Sequence, residues 1–203
     1  MIGFFDSGFG GLNIARSFSD LAPHYDTVFL GDNARTPYGA RSEDVIYRYT
    51  VEGVSFMFSR GADIVILACN TASAAALRRI QQEWLPAHHP DKHVLGIIIP
   101  TVEDVISVTK GRIGVLATSA TVHSRSFTNE VHKKDASLAV TEKECPLFVP
   151  IIEEGESDWE GTRLIARKYI RELFEKDPGI DSVVLGCTHY ALIYRMLREE
   201  IPS

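Results

Sequence analysis

Two cysteines lie in matching surroundings. Cys69 ends the stretch Asp63-Ile-Val-Ile-Leu-Ala-Cys69-Asn-Thr71, and Cys187 ends Asp181-Ser-Val-Val-Leu-Gly-Cys187-Thr-His189. Asp, Val, Leu and Cys recur in register. A thiol acts as a base only when ionised, so such a site needs something that lowers the thiol pKa. A helix that starts just after each cysteine would do so through its unpaired N–H groups. Two such thiols on opposite sides of one carbon could take a proton from one face and deliver one to the other. That inverts a stereocentre without a cofactor. Either cysteine alone reads as well as a core residue, since this residue type is often buried. The repeat and the polar tails favour the chemical reading for the pair.

Other residues join them. Asp6 follows an apolar run and opens the turn Asp6-Ser-Gly-Phe-Gly-Gly11, where it could orient a thiol, bind an ammonium group or simply accept turn N–H groups. Gly8, Gly10 and Gly11 do not have dinucleotide-loop spacing, and no phosphate-loop lysine follows. His189 lies two residues after Cys187 and could act as an acid or support the thiol. Thr118 and Thr121 could donate to a carboxylate, or Thr121 could cap a helix. Asp32 and Glu153 end apparently equivalent strands and could be supporting carboxylates. Cys145, beside Pro146, reads as a bystander. His88, His89 and His93 read as a solvated loop, and no metal site is expected.

The elements that must hold these groups follow from periodicity. Both cysteine runs carry apolar residues on both faces, which predicts buried parallel strands with each thiol at a carboxyl end, where open α/β sheets bind ligands. Further strands are expected at 2–5, 27–30 and 94–99 in the first half, and at 112–117 and 148–152 in the second. Helices are expected at 12–21, from a Ser42 cap to about 59, over 74–84 with a break at 86–90, over 159–174, and from about 191. The order repeats, so the chain reads as two pseudo-symmetric, mainly parallel-sheet α/β units with the active site in the cleft between them. The first domain is expected over 1–98, completed by 190–203 and a further C-terminal segment, and the second over 99–189.

Composition narrows the function classes. The 203 residues carry a net charge of −6, which gives no basic footprint for nucleic acid as a main role. No apolar run is long enough to span a membrane, and the N-terminus lacks the basic start and apolar core of a signal peptide. A cytoplasmic location is the expectation. With three cysteines and no sign of an oxidising compartment, thiols are expected rather than disulfides.

Five stretches together resemble glutamate racemase, of the aspartate/glutamate racemase superfamily: Phe5-Asp-Ser-Gly-Phe-Gly-Gly-Leu12, Gly31-Asp-Asn-Ala-Arg-Thr-Pro-Tyr-Gly39, Ala68-Cys-Asn-Thr-Ala72, Phe148-Val-Pro-Ile-Ile-Glu153 and Leu185-Gly-Cys-Thr-His-Tyr190. They span nearly the whole chain in family order. The resemblance implies a cofactor-independent, two-base interconversion of L- and D-glutamate that supplies D-glutamate for peptidoglycan. It implies Cys69 and Cys187 as the catalytic pair, with Asp6 and His189 assisting proton transfer and Asp32 and Glu153 as weaker candidates. Asp6, Ser7, Tyr38, Gly39, Asn70, Thr71, Thr188 and His189 match substrate contacts, and Pro37, Thr118 and Thr121 fall near the same site. It also implies a homodimer. Asn33 stands where Thr is common, and Ala191 where Pro is usual. Relatives usually continue past the helix that follows Thr-His-Tyr, whereas this sequence stops at Ser203. Aspartate racemase and a non-catalytic amino-acid-binding protein are the other readings.

Overall fold

The computed structural model describes residues 1–202, and the chain divides into two units with the boundary between Ile97 and Ile98. The first unit alternates strand and helix: β1 (Ile2–Asp6), α1 (Leu12–Leu21), β2 (Thr27–Gly31), α2 (Glu43–Ser59) and β3 (Ile64–Leu67). A long helical run follows, made of α3 (Asn70–Ala75), α4 (Leu77–Arg79), a π-wound stretch Ile80–Trp84 and α5 (Leu85–His88), and then β4 (His93–Gly96). All pairings are parallel, in the order β2-β1-β3-β4, with Phe5 opposite Leu30 on one side and Leu67 on the other. Leaving β1, the chain first moves to β2 and then crosses back to β3. Right-handed crossovers therefore put α1 and α2 on opposite faces of the sheet. The carboxyl ends of β1 and β3 form the switch point at which such sheets bind ligands. Phe4, Phe5, Val65 and Leu67 are buried; Phe4 packs on Phe18 of α1 with ring centroids 5.3 Å apart, and Phe5, on the other face, meets α2. Gly53 lets α2 come close, because a Cβ at that position would lie 2.3 Å from the Phe5 ring.

Two sequence expectations in this unit fail at prolines. The helix expected to break at 86–90 runs on to His88, through Pro86. The preceding π stretch already bonds the Leu85 N–H to the Ile80 carbonyl, so the ladder is displaced just where proline has no N–H to give. The strand expected over 94–99 stops at Gly96, and α6 (Ile98–Val108) begins the second unit. Pro100 lies in the first turn of α6, where an N–H has no helical partner anyway. Continuous apolar sequence hid the strand-to-helix junction.

The second unit continues with β5 (Arg112–Ala117), α7 (Ser119–Ser124), α8 (Ser126–Lys134), β6 (Ala139–Glu144), α9 (Phe148–Glu153), α10 (Glu160–Lys176) and β7 (Ser182–Gly186). A 3-10 turn, Thr188–Ile193, leads into α11 (Tyr194–Glu200). Its sheet is again parallel, in the order β6-β5-β7, which repeats β2-β1-β3. The segment 148–152, expected as the counterpart of β2, is helical instead. Pro150 cannot contribute a ladder N–H to a central strand, and the buried Phe148, Val149 and Ile152 share one helical face. The real counterpart is β6, an edge strand whose sequence Ala-Val-Thr-Glu-Lys-Glu is half-buried at every position and carries little apolar signal. The described part of 190–203, expected to complete the first domain, packs in the second unit. Tyr190, Ile193, Met196 and Leu197 join a core with Phe148, Tyr169, Ile170 and Leu173, and the Tyr190 hydroxyl donates to the Cys145 carbonyl at 3.1 Å. Among the described residues no helix is long and apolar enough to cross a membrane.

Candidate active site

In the first unit the switch point brings three segments together. Asp6 is the last residue of β1, fully buried, and its carboxylate accepts the Gly8 N–H at 2.8 Å. Gly11, just before α1, passes so close that an added Cβ would lie 2.8 Å from the Asp6 Oδ2 and 2.9 Å from the Ala68 Cβ. Ser7 follows, and its hydroxyl lies 3.4 Å from the Cys69 Sγ. Cys69 caps α3, with its sulfur accepting the Ala72 N–H at 3.4 Å, and Asn70 and Thr71 are the first helical residues, both buried.

The third segment is the loop after β2. Asp32 ties it to β1 by donating its N–H to the Asp6 carbonyl at 3.0 Å. The Asp32 Oδ2 accepts the buried Tyr38 hydroxyl at 2.5 Å and the Arg35 Nε at 2.6 Å. Burial and the Asp32 carboxylate hold the Tyr38 hydroxyl far above its ordinary pKa, so it stays protonated. Pro37, which follows a cis peptide bond, and Gly39 flank Tyr38 and are half-buried.

The helix start was expected to lower the Cys69 pKa. Instead it is pushed up to about 11, chiefly by burial and then by the nearby Asp6 charge, against the opposing hydrogen bonds from Ser7 and Ala72. The Ala72 N–H of a six-residue helix and the bonds from Ser7 do not offset complete desolvation. At neutral pH Cys69 rests as S–H.

The second unit builds its switch point from different chemistry. Thr118 follows β5 and caps α7, with its hydroxyl 3.0 Å from that of Thr121. Cys187 follows β7, but the expected α-helix start is absent. A 3-10 turn follows instead, and the sulfur makes no capping bond. Its Sγ lies 3.8 Å from the His189 Nδ1, and the His189 Nε2 lies 2.5 Å from a carboxylate oxygen of Glu153. That carboxylate lies at the end of α9 rather than of a strand; Nε2 is placed to donate to it, and Nδ1 faces the thiol. Thr188 and His189 are both buried. Cys145 is buried nearby, and its thiol is pushed up by desolvation.

The structure thus gathers Asp6, Ser7, Tyr38, Cys69, Asn70 and Thr71 in one unit, and Thr118, Thr121, Cys187, Thr188 and His189 in the other. Each thiol has its own polar neighbours. Sequence reasoning missed Arg35 and Arg41, which brace the Tyr38 loop; a lone arginine in a polar loop carries no pattern that would reveal it.

Comparison with known proteins agrees with this architecture. The profile of the Asp/Glu/hydantoin racemase family matches residues 12–203. A glutamate racemase from Persephonella marina is 42% identical over 202 residues, covering 99% of this chain and 74% of that protein. The crystal structure of a glutamate racemase isoform from Bacillus anthracis superimposes with a TM-score of 0.91 at 32% identity, covering 100% of this chain and 74% of that one. The glutamate racemase from Francisella tularensis, solved in complex with D-glutamate, gives a TM-score of 0.87 at 34% identity, covering 98% and 72%. With two thiols at equivalent strand ends of a repeated parallel sheet, and with likeness of this extent, the chain belongs to the glutamate racemases of the Asp/Glu/hydantoin racemase family.

Proposed function

We propose that the protein interconverts L- and D-glutamate by moving the Cα proton between two cysteines, with no cofactor. The observation that carries this reading is the pairing of Cys69 and Cys187 at matching strand ends, each beside its own proton-handling groups. For one hand of substrate, Cys187 gives its proton to the His189 Nδ1 and, as thiolate, takes the Cα hydrogen. The resulting carbanion-like centre is then protonated by the Cys69 S–H, which leaves Cys69 as thiolate. For the other hand Cys69 releases its proton to solvent as substrate docks, takes the Cα hydrogen as thiolate, and the Cys187 S–H protonates the opposite face. Fixed donors share the charge that develops on the substrate carboxylate. Asn70, Thr71, Thr118, Thr121, Thr188, Ser7 and the N–H groups of Tyr38 and Gly39 are the residues we assign to its carboxylates. Asp6 pairs with the ammonium group. That pairing removes the charge opposing ionisation of Cys69, so substrate itself prepares the second base.

The product, D-glutamate, would serve peptidoglycan synthesis. Glutamate is favoured over aspartate because the relatives at about 40% identity are glutamate racemases. The test is deuterium uptake at Cα in D2O, measured by NMR with L- and D-glutamate. Wild-type protein should exchange both. Cys69→Ala and Cys187→Ala should each lose roughly 10²–10⁴-fold in racemisation while keeping their circular dichroism. Full turnover in either variant refutes the mechanism, and glutamate binding without exchange in the wild type would make the protein a binding protein instead.

A further inference from the structure

Tyr38 and Gly39 lie on a loop with no regular secondary structure, yet the loop is bound from several sides. Arg41 makes most of those bonds. Its Nη2 and Nε donate to the Arg35 carbonyl at 2.8 and 3.1 Å, and Nε also reaches the Pro37 carbonyl at 3.2 Å. Its backbone N–H donates to the Tyr38 carbonyl at 3.0 Å. Three carbonyls of one short loop therefore face a single residue.

This has a geometric consequence for the pocket side. A trans peptide is planar, and its C=O and N–H point in opposite directions. The 37–38 and 38–39 peptides are both trans. With the Pro37 and Tyr38 carbonyls held toward Arg41, the N–H groups of Tyr38 and Gly39 are aimed away from it. Neither N–H donates to another described residue. They form an adjacent pair of oriented donors, an arrangement that suits an anion. The Tyr38 side chain holds the same loop from below, through Asp32 and through ring contact with Tyr49 at 5.7 Å. Arg35 lies over that Tyr49 ring at 4.2 Å and pairs with Glu52 of α2.

We propose that Arg41 is a positioning residue: by gathering the Arg35, Pro37 and Tyr38 carbonyls it aims the Tyr38 and Gly39 N–H groups at a carboxylate of the substrate. Arg41 touches no substrate itself, and the inference rests on the racemase reading above. An arginine fork suits the task, because it bonds two carbonyls at once in a fixed plane.

The experiment measures KM and kcat for D-glutamate, and the affinity for glutamate by calorimetry, in wild type, Arg41→Ala and Arg41→Lys. The expected result is a KM and Kd raised roughly tenfold in Arg41→Ala, on the scale of one charge-assisted contact. We expect kcat to stay within about threefold, because the lost interaction is uniform binding. Lysine, which supplies charge without the fork, should restore part of the affinity. A KM within about twofold of wild type in both variants, or a fall confined to kcat, overturns the proposal. If Arg41→Ala loses its circular dichroism, the same criterion is applied to Arg41→Lys alone. Wild-type exchange is measured alongside. Active wild type with unaffected variants removes only the role of Arg41, whereas wild type that neither exchanges nor binds glutamate removes the racemase reading and this inference with it.

Discussion

At Cys69 two opposing influences can be compared directly. Hydrogen bonds from Ser7 and Ala72 favour the thiolate, and burial with the Asp6 charge disfavours it; burial wins, and the thiol pKa rises to about 11. The consequence is measurable. In ligand-free protein, alkylation of Cys69 by iodoacetamide, followed by peptide mass spectrometry, should be slow at pH 7 and rise about tenfold per pH unit as the thiolate fraction grows. A plateau already reached near pH 8 would contradict it. Sequence alone revealed the cysteine and its polar tail, because residue type and repeat are written in the chain. It did not reveal the sign of the pKa shift, which depends on how completely neighbouring elements exclude water. His189 was legible as a neighbour of Cys187. Its link to Glu153 was legible only as a weak candidate, because the two are 36 residues apart and meet only once α9 has folded.

The elements that present these groups depend on close approaches. Gly11 lets the start of α1 sit against Asp6 and Ala68. Gly11→Ala should therefore push on the Asp6 carboxylate and destabilise the protein by about 1–3 kcal/mol, as overpacking does elsewhere. Chemical denaturation checks the stability, and loss of exchange activity at temperatures where the variant is folded would report the displaced Asp6. An unchanged midpoint would mean that the α1 start can retreat at no cost. The strands β1, β3, β5 and β7 were legible because each carries apolar residues on both faces. The edge strand β6 was not, since half-exposed positions tolerate Thr, Glu and Lys. Its place was given to 148–152, whose Val, Ile and Phe content suits a strand but whose Pro150 and helical spacing of buried residues suit α9.

Across the whole chain the repeat extends to the far ends of the strands, where Asp63 and Asp181 occupy matching positions before β3 and β7. Asp63 is held near pKa 2 by Lys92 and the N-terminal ammonium group. At Asp181 burial pushes upward, but donors from Thr109, Lys110, Ser182 and Arg112 outweigh it and bring the value to about 2. A carboxylate with a lowered folded pKa stabilises the fold above its ordinary pKa, near 4, and loses that contribution as pH falls toward 2. Urea midpoints should thus decline from pH 5 to pH 2, and Asp63→Asn with Asp181→Asn should flatten that decline; an equally steep acid limb in the double variant would place the effect elsewhere. None of the described cysteines forms a disulfide, and Cys69 is 4% exposed. Peroxide attacks accessible thiolates and turns them into sulfenic acid. A sulfur that keeps its hydrogen until an amino acid docks is thus a poor oxidation target, and Cys69 of the idle protein should survive peroxide that converts permanently ionised cysteines to sulfenic acid.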